Sequence, residues 1–258
     1  LADMVERKLI ALDDTVAKLL PGVAVPSRGG KEINLVHIAT HTSGLPCIPD
    51  NFQPKDPWNP YADYTAERLA AFLAGHQLRR DPGEKYEYSN LGAGLLGHAL
   101  ACKAGLSYEQ LLVSRLCEPL GLGDTRIALS PPLQARLARG YDADGGPSPN
   151  WDFVALAGCG SLRSTVRDLL KYLAANLGQR PSALAAAIAA THAPRVKVNN
   201  GLSMGLGWHL FPADGIVFHN GATGGYSCFV GFVEEAKTGL VVLTNTSNPD
   251  LVTEAGRR

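Results

Sequence analysis

An α+β fold with segregated elements is the expectation from two features of this 258-residue chain. Through about the first two hundred positions apolar residues recur at helical spacing, and beyond Met204 the pattern changes to short β-branched and aromatic runs joined by tight turns. A helical body followed by an antiparallel sheet is the arrangement such an order favours. There is no internal repeat and no low-complexity segment, so 1–258 is taken as one domain, with a helical lobe over about 33–200 and a sheet over about 204–246.

The elements are justified in turn. Residues 1–10 have helical spacing with no capping side chain before them, which reads as a helix already under way. Asp13-Asp14 opens a short helix through Leu20 that Pro21-Gly22 closes, residues 23–31 are loop, and 33–41 are helical again. Periodicity is lost over 42–64, a long surface loop of the kind that borders clefts. Helical patterns return at 66–78, 91–103, 108–113, 165–177 and 182–191; 124–152 is turn-rich, with 142–149 an exposed excursion. Strands are expected at 206–211, 216–219, 226–233 and 240–245, forming a meander.

Composition excludes some functions. Twenty-four basic residues balance twenty-four acidic ones without a basic cluster, so nucleic acid is not an expected partner. No apolar run is long enough to cross a bilayer core of roughly 30 Å. Five cysteines without a Cys-x-x-Cys pair read as reduced core residues, and the compartment stays open because no targeting segment is legible.

Four stretches carry a family signal when taken in order. His37-Ile38-Ala39-Thr40-His41-Thr42-Ser43-Gly44-Leu45-Pro46 is followed by Tyr86-Glu87-Tyr88-Ser89-Asn90-Leu91-Gly92 at the head of a helix. Gly158-Cys159-Gly160-Ser161-Leu162-Arg163-Ser164-Thr165 with Asp168-Leu169-Leu170 comes next, and then His219-Asn220-Gly221-Ala222 on a strand. Together they resemble the serine β-lactamase and penicillin-binding-protein superfamily, in particular its class C β-lactamase, D-amino-acid peptidase and carboxylesterase branch. The resemblance covers nearly the whole chain and implies acyl transfer to a serine from a β-lactam, a D-amino-acid peptide or a short-chain ester. No metal and no organic cofactor are implied.

Such chemistry needs a nucleophile, a base and donors aimed at an oxyanion. In the family a Ser-x-x-Lys helix supplies the first two, a motif tyrosine relays a proton and a motif asparagine orients substrate; by resemblance Tyr88 and Asn90 take the last two roles. His219 stands where the family has Lys-Thr-Gly or His-x-Gly. It is expected to face the cleft, binding a substrate carboxylate or assisting proton transfer, with Asn220 and Gly221 beside it and the Ala222 N–H as half of the oxyanion hole. A phenol needs a nearby cation before it acts as a base, so Tyr88 calls for a lysine.

No serine in the sequence is followed by lysine three places later. Thr15-Val16-Ala17-Lys18 has the spacing with another hydroxyl but matches the family stretch after the nucleophile helix. Residues 1–10 resemble the back half of that helix, which sets the expected serine about ten residues, or about 15 Å, earlier. Two strands, part of the nucleophile helix and most of a closing helix after Asn245 are therefore expected to be absent. A homo-oligomer or a complementing segment would cover the apolar surface left open, and a catalytically inactive remnant that keeps the cleft as a binding module is the rival expectation.

Plainer readings stand beside these. His37 and His41 have a zinc-compatible spacing, but structural use is expected because no Glu follows His37. Asn90 fits the N-cap of the Leu91 helix, Cys159 and Cys228 fit core packing, and Lys85 fits an exposed turn.

Overall fold

A computed structural model describes residues 1–257. The helices are α1 (Ala2–Glu6), α2 (Val16–Leu19), α3 (Leu35–Ala39), α4 (Ala66–Gly75), α5 (Asn90–Ala104), α6 (Tyr108–Leu112), α7 (Glu118–Leu120) and α8 (Pro131–Gln134). A two-stranded ribbon of β1 (Gly140–Tyr141) and β2 (Pro147–Ser148) follows, then α9 (Val166–Asn176) and α10 (Ala185–His192). The sheet is built from β3 (Val196–Lys197), β4 (Ser203–Met204), β5 (His209–Phe211), β6 (Ile216–Thr223), β7 (Tyr226–Val233) and β8 (Thr238–Thr244), and α11 (Pro249–Arg257) closes the described chain.

All six of those strands pair antiparallel in sequence order, so the sheet is a meander. Alternation along β6 and β7 sends apolar side chains to both faces. On one face Val217 and Phe232 pack with Leu173 of α9 and Leu177 just beyond its end, and on the other Phe218 and Phe229 pack with Val252 of α11. The helix α11 lies across that second face.

The helical side is organised around α5. It is apolar on most sides and carries buried Leu91, Leu95, Ala99 and Leu100, as a helix surrounded by others must. Gly94 and Gly97 let the chain at Leu156 and Gly158 approach so closely that a Cβ would sit 2.7 Å and 2.9 Å from it. The helix ends at Gly105 in the left-handed conformation (φ 65°). Leu69, Phe72 and Leu73 bury one stripe of α4 against the same core, with Leu45, Tyr61 and Tyr64 from the long loop. That loop is thus half interior rather than a surface strip: Arg68 donates to the Asn51 carbonyl (2.6 Å) and the Tyr64 hydroxyl to Asn51 Oδ1 (2.9 Å).

Several boundaries differ from expectation. The helix expected over 1–10 stops at Glu6, because Lys8 turns left-handed (φ 58°). Thr15, not Asp13 or Asp14, caps α2 by accepting the Lys18 N–H, which gives its hydroxyl a structural use. The excursion at 142–149 contains one strand of the β1–β2 ribbon. The Gly158–Thr165 stretch ends in the cap of α9, where Thr165 accepts the Asp168 N–H. Buried Asp168 in turn accepts from the Asp124 N–H (2.8 Å) and the Thr125 hydroxyl (3.0 Å), and pairs with Lys171 (2.9 Å).

Candidate active site

The first two motifs lie side by side because their backbones are laced together. Gly83 N–H donates to the Thr42 carbonyl (2.8 Å), Glu87 N–H to that of His41 (2.7 Å), and Leu91 N–H to that of Cys47 (2.9 Å). The Ser89 hydroxyl donates to the Pro46 carbonyl (2.6 Å). Buried Thr40 and Thr42 find their partners locally, each hydroxyl reaching a helix carbonyl and the other threonine. His41 lies beyond the end of α3 at φ 55°, so it does not share a helix face with His37 as expected.

Tyr88 leaves this seam pointing at the sheet. Its ring lies 4.4 Å from that of His41, 6.4 Å from His219 on β6 and 6.5 Å from His209 on β5 (centroid to centroid). The two sheet histidines are 5.2 Å apart, and the Tyr86 hydroxyl meets His209 Nε2 at 3.3 Å. Residues distant in the sequence, Tyr88 and His219, are brought together. Asn90 is the first residue of α5, two positions after Tyr88. The cap itself is Ser89, which accepts the Gly92 N–H (2.8 Å), so the expectation of Asn90 as N-cap is corrected. Its side-chain amide is left to act on the Tyr61 phenol, which it lowers against the larger effect of burial.

Strand geometry sorts the third motif. His219 and Gly221 share one face of β6; Asn220 and Ala222 take the other. Asn220 donates its side-chain N–H to Thr253 Oγ1 on α11 (2.9 Å), so as a substrate-binding side chain it is corrected: it faces the closing helix. β5 pairs β6 only from Ile216 to Phe218, which leaves the β6 backbone from His219 to Thr223 unpaired on that edge, including the segment with Gly221 and Ala222. Backbone donors at such an edge are open to a ligand.

The electrostatics of the site are those of an uncharged pocket. Although Tyr88 is 36% exposed, burial of its ring, with lesser effects of Cys159, Tyr86 and Cys47, pushes its phenol up to about 12. Burial lowers His41 to about 4, aided by repulsion from His219 and His209; it lowers His209 to about 4, aided by His219. His219 is lowered by burial, against a hydrogen bond to the Asn220 backbone. Among the described residues no lysine or arginine acts on any of the four, so at neutral pH the phenol is protonated and the imidazoles are neutral.

Other candidates resolve into structure. His37 Nδ1 accepts the Asn34 N–H and helps cap α3, while burial raises the thiols of Cys159, to about 12, and of Cys228. Lys85 is exposed. Among the described residues no cluster of three or more His, Cys, Asp or Glu is arranged for a metal ion. An open recess of about 860 Å³ lined by Asp13, Lys31, Asn34, His37, Asp81 and Glu84 shares no residue with the Tyr88 cluster. Sequence reasoning missed Tyr86 and His209. Tyr86 was findable, since it precedes Tyr88 by two in an extended segment; His209 was not, because strand register decides it.

Comparison with known proteins places this geometry. The chain is 30% identical to the D-alanyl-D-alanine-carboxypeptidase/endopeptidase AmpH of Escherichia coli (strain K12), over 96% of its own length and 67% of that protein's. It is 26% identical to a beta-lactamase of Pseudomonas fluorescens, over 93% and 74% respectively. In three dimensions it is similar to a beta-lactamase/D-alanine carboxypeptidase from Yersinia pestis complexed with citrate, with a TM-score of 0.85, 26% identity, and coverage of 99% of this chain and 78% of the other. A class C beta-lactamase at 22% identity shares the fold with a TM-score of 0.84. The α+β architecture is thus that of the class C enzymes, and the sequence profile of the Beta-lactamase family matches residues 1–258. The chain belongs to the beta-lactamase family.

Proposed function

We propose that this chain carries the acid–base and substrate-orienting side of a serine acyl-hydrolase site, in one two-lobed unit. The observation that supports it most is the meeting of Tyr88 with His219 where the Asn90 end of α5 approaches β6. In the proposed reaction a serine oxygen attacks the carbonyl of a β-lactam, amide or ester, and its proton passes by way of Tyr88 to the leaving amine or alkoxide. Water then cleaves the acyl-enzyme, its proton returning to the serine oxygen. Asn90 orients the acyl donor, and the free β6 edge at Gly221 and Ala222 hydrogen-bonds the oxyanion. The nucleophile is not among these 258 residues, since no Ser-x-x-Lys occurs in them.

An uncharged pocket favours an uncharged acyl donor. With no cation among the described residues acting on Tyr88, His209 or His219, a substrate carboxylate would lose hydration without gaining a partner there, so a short-chain ester suits the site better than a β-lactam or a D-amino-acid peptide. The same observation favours a second reading, a non-catalytic module of this fold, because a phenol held at about 12 is no resting base at neutral pH. Assembly belongs to either reading. β8 has no second partner strand among the described residues, bears no charge or proline, and exposes Leu240 and Leu243; Val166 and Leu170 of α9 are exposed as well. Such an edge invites a second copy or a complementing segment.

Labelling with a fluorophosphonate or penicillin, followed by mass spectrometry, decides between the readings, with p-nitrophenyl ester and nitrocefin turnover alongside. Ester turnover with an adduct on a serine supports the hydrolase; no adduct and no turnover in the natural full-length product would leave the module. A monodisperse monomer at micromolar concentration refutes the assembly.

A further inference from the structure

One group at the site is used by no step of that reaction, yet it touches Tyr88 more closely than any other ring does. His41 brackets it. The His41 carbonyl accepts the N–H of Glu87, one residue before Tyr88 (2.7 Å), and its Nδ1 accepts the N–H of Ser89, one residue after (3.2 Å). Between these two bonds the imidazole lies against the phenol at 4.4 Å with a 36° tilt. From this geometry we infer that His41 is a positioning residue, fixing the Tyr88 side chain from both flanking amides and from its ring face at once.

Three further facts fit only a residue held for this purpose. His41 is 5% exposed and sits at φ 55°, a left-handed conformation that a residue other than glycine adopts at a cost; there its carbonyl and its ring serve the same extended segment. Ser89, held by Nδ1, is the cap of α5, so the same imidazole also sets the start of the helix at Asn90. Because Nδ1 accepts, a neutral ring carries its one proton on Nε2. Burial keeps the ring neutral, and the titratable groups around it are His219 on β6, His209 on β5, and Tyr86 and Tyr88 on its own seam, with the Arg80–Glu87 ion pair beside them. An imidazolium would present an N–H to the Ser89 N–H and open the bracket.

The inference rests on Tyr88 being a residue of the acyl-transfer site, but its test needs no turnover, so the two fail separately. Nitrogen NMR of the imidazole at pH 7 should find the Nε2–H tautomer at His41. In His41→Asn, whose side-chain carbonyl reaches where Nδ1 was and which tolerates the left-handed turn, the Ser89 amide should keep its hydrogen-exchange protection within about threefold, while the Tyr88 ring signals move as the stacked ring is lost. In His41→Phe the ring is kept and the acceptor lost, so Ser89 should exchange about tenfold faster. An Nδ1–H tautomer, or Tyr88 ring signals in His41→Asn that match wild type, would overturn the inference. Should His41→Phe not fold, those two measurements decide alone.

Discussion

Acid should weaken this fold through its histidines well before its carboxylates titrate, and His41 is where the effect is best worked out. The ring is 5% exposed, and its pKa falls from an ordinary 6.5 to about 4. Above pH 6.5 it is neutral folded or unfolded and contributes no pH dependence. Between 6.5 and 4 the unfolded chain takes up a proton that the folded one refuses, so stability is lost as pH falls, and below about 4 the loss levels off. A drop of that size at 1.36 kcal/mol per unit corresponds to roughly 3 kcal/mol for this one residue. Against a typical total of about 5–15 kcal/mol that is a large share. His209 is lowered to the same value, but part of each shift is their mutual repulsion with His219, so the three titrate as a group and the total is smaller than a sum of separate sites. Urea midpoints measured from pH 7 to pH 4.5 for wild type and His41→Asn isolate the term. The variant loses packing at every pH, but its slope with pH should be shallower by about 1 kcal/mol per unit. Equal slopes, or a wild type that gains stability as the pH falls, would refute the reasoning.

Other consequences are equally open to measurement. Asp168→Ala takes the acceptor from the part-buried Asp124 N–H and leaves the buried Thr125 hydroxyl only Ser164 Oγ, at a cost of about 2 kcal/mol, or roughly 4–8 °C in Tm by calorimetry. Leu243→Lys on the β8 edge should reduce self-association in light scattering while changing the stability of the monomer by less than about 1 kcal/mol. The ultraviolet difference titration of wild type against Tyr88→Phe should place the Tyr88 phenol step near 12, and a step at or below the ordinary value of 10.0 would show a cation the described residues do not provide.

What the sequence made legible follows from how local each cause is. The sequence places β7 and β8 nearly whole over seven or eight residues, whereas β6 was expected only to His219 and runs on to Thr223; β3 and β4 have two residues each, too few for a period, and went unseen. α5 is unmistakable from its apolar content, whereas its cap was misread because Ser89 and Asn90 are both good caps and only the reach to the Pro46 carbonyl and the Gly92 N–H selects the serine. The convergence of Tyr88 with His219 was predicted from motif order. Asn220 could have been excluded at the same stage, because neighbours on a strand face opposite sides. His41 was read as structural, and the reason it is more than filler is a positive φ and a side-chain bond to a residue 48 positions away, neither of which spacing encodes.

The state of Tyr88 then bears on which proton it can handle. A unit positive charge 4 Å from the phenolate is worth about 4 kcal/mol at an effective dielectric of 20, about three pK units. Applied to a phenol at about 12, that brings it near 9, still two units above neutrality. A single added cation therefore leaves Tyr88 a proton donor at rest. It would serve by handing a proton to the leaving group while receiving one from the nucleophile, and not by waiting as phenolate. That exchange demands that donor and acceptor be placed within a hydrogen bond of the same oxygen. A rigid seat for the phenol is thus a larger part of what this chain supplies than a shifted pKa, and the bracket at Glu87, Ser89 and the ring of His41 is where that rigidity resides.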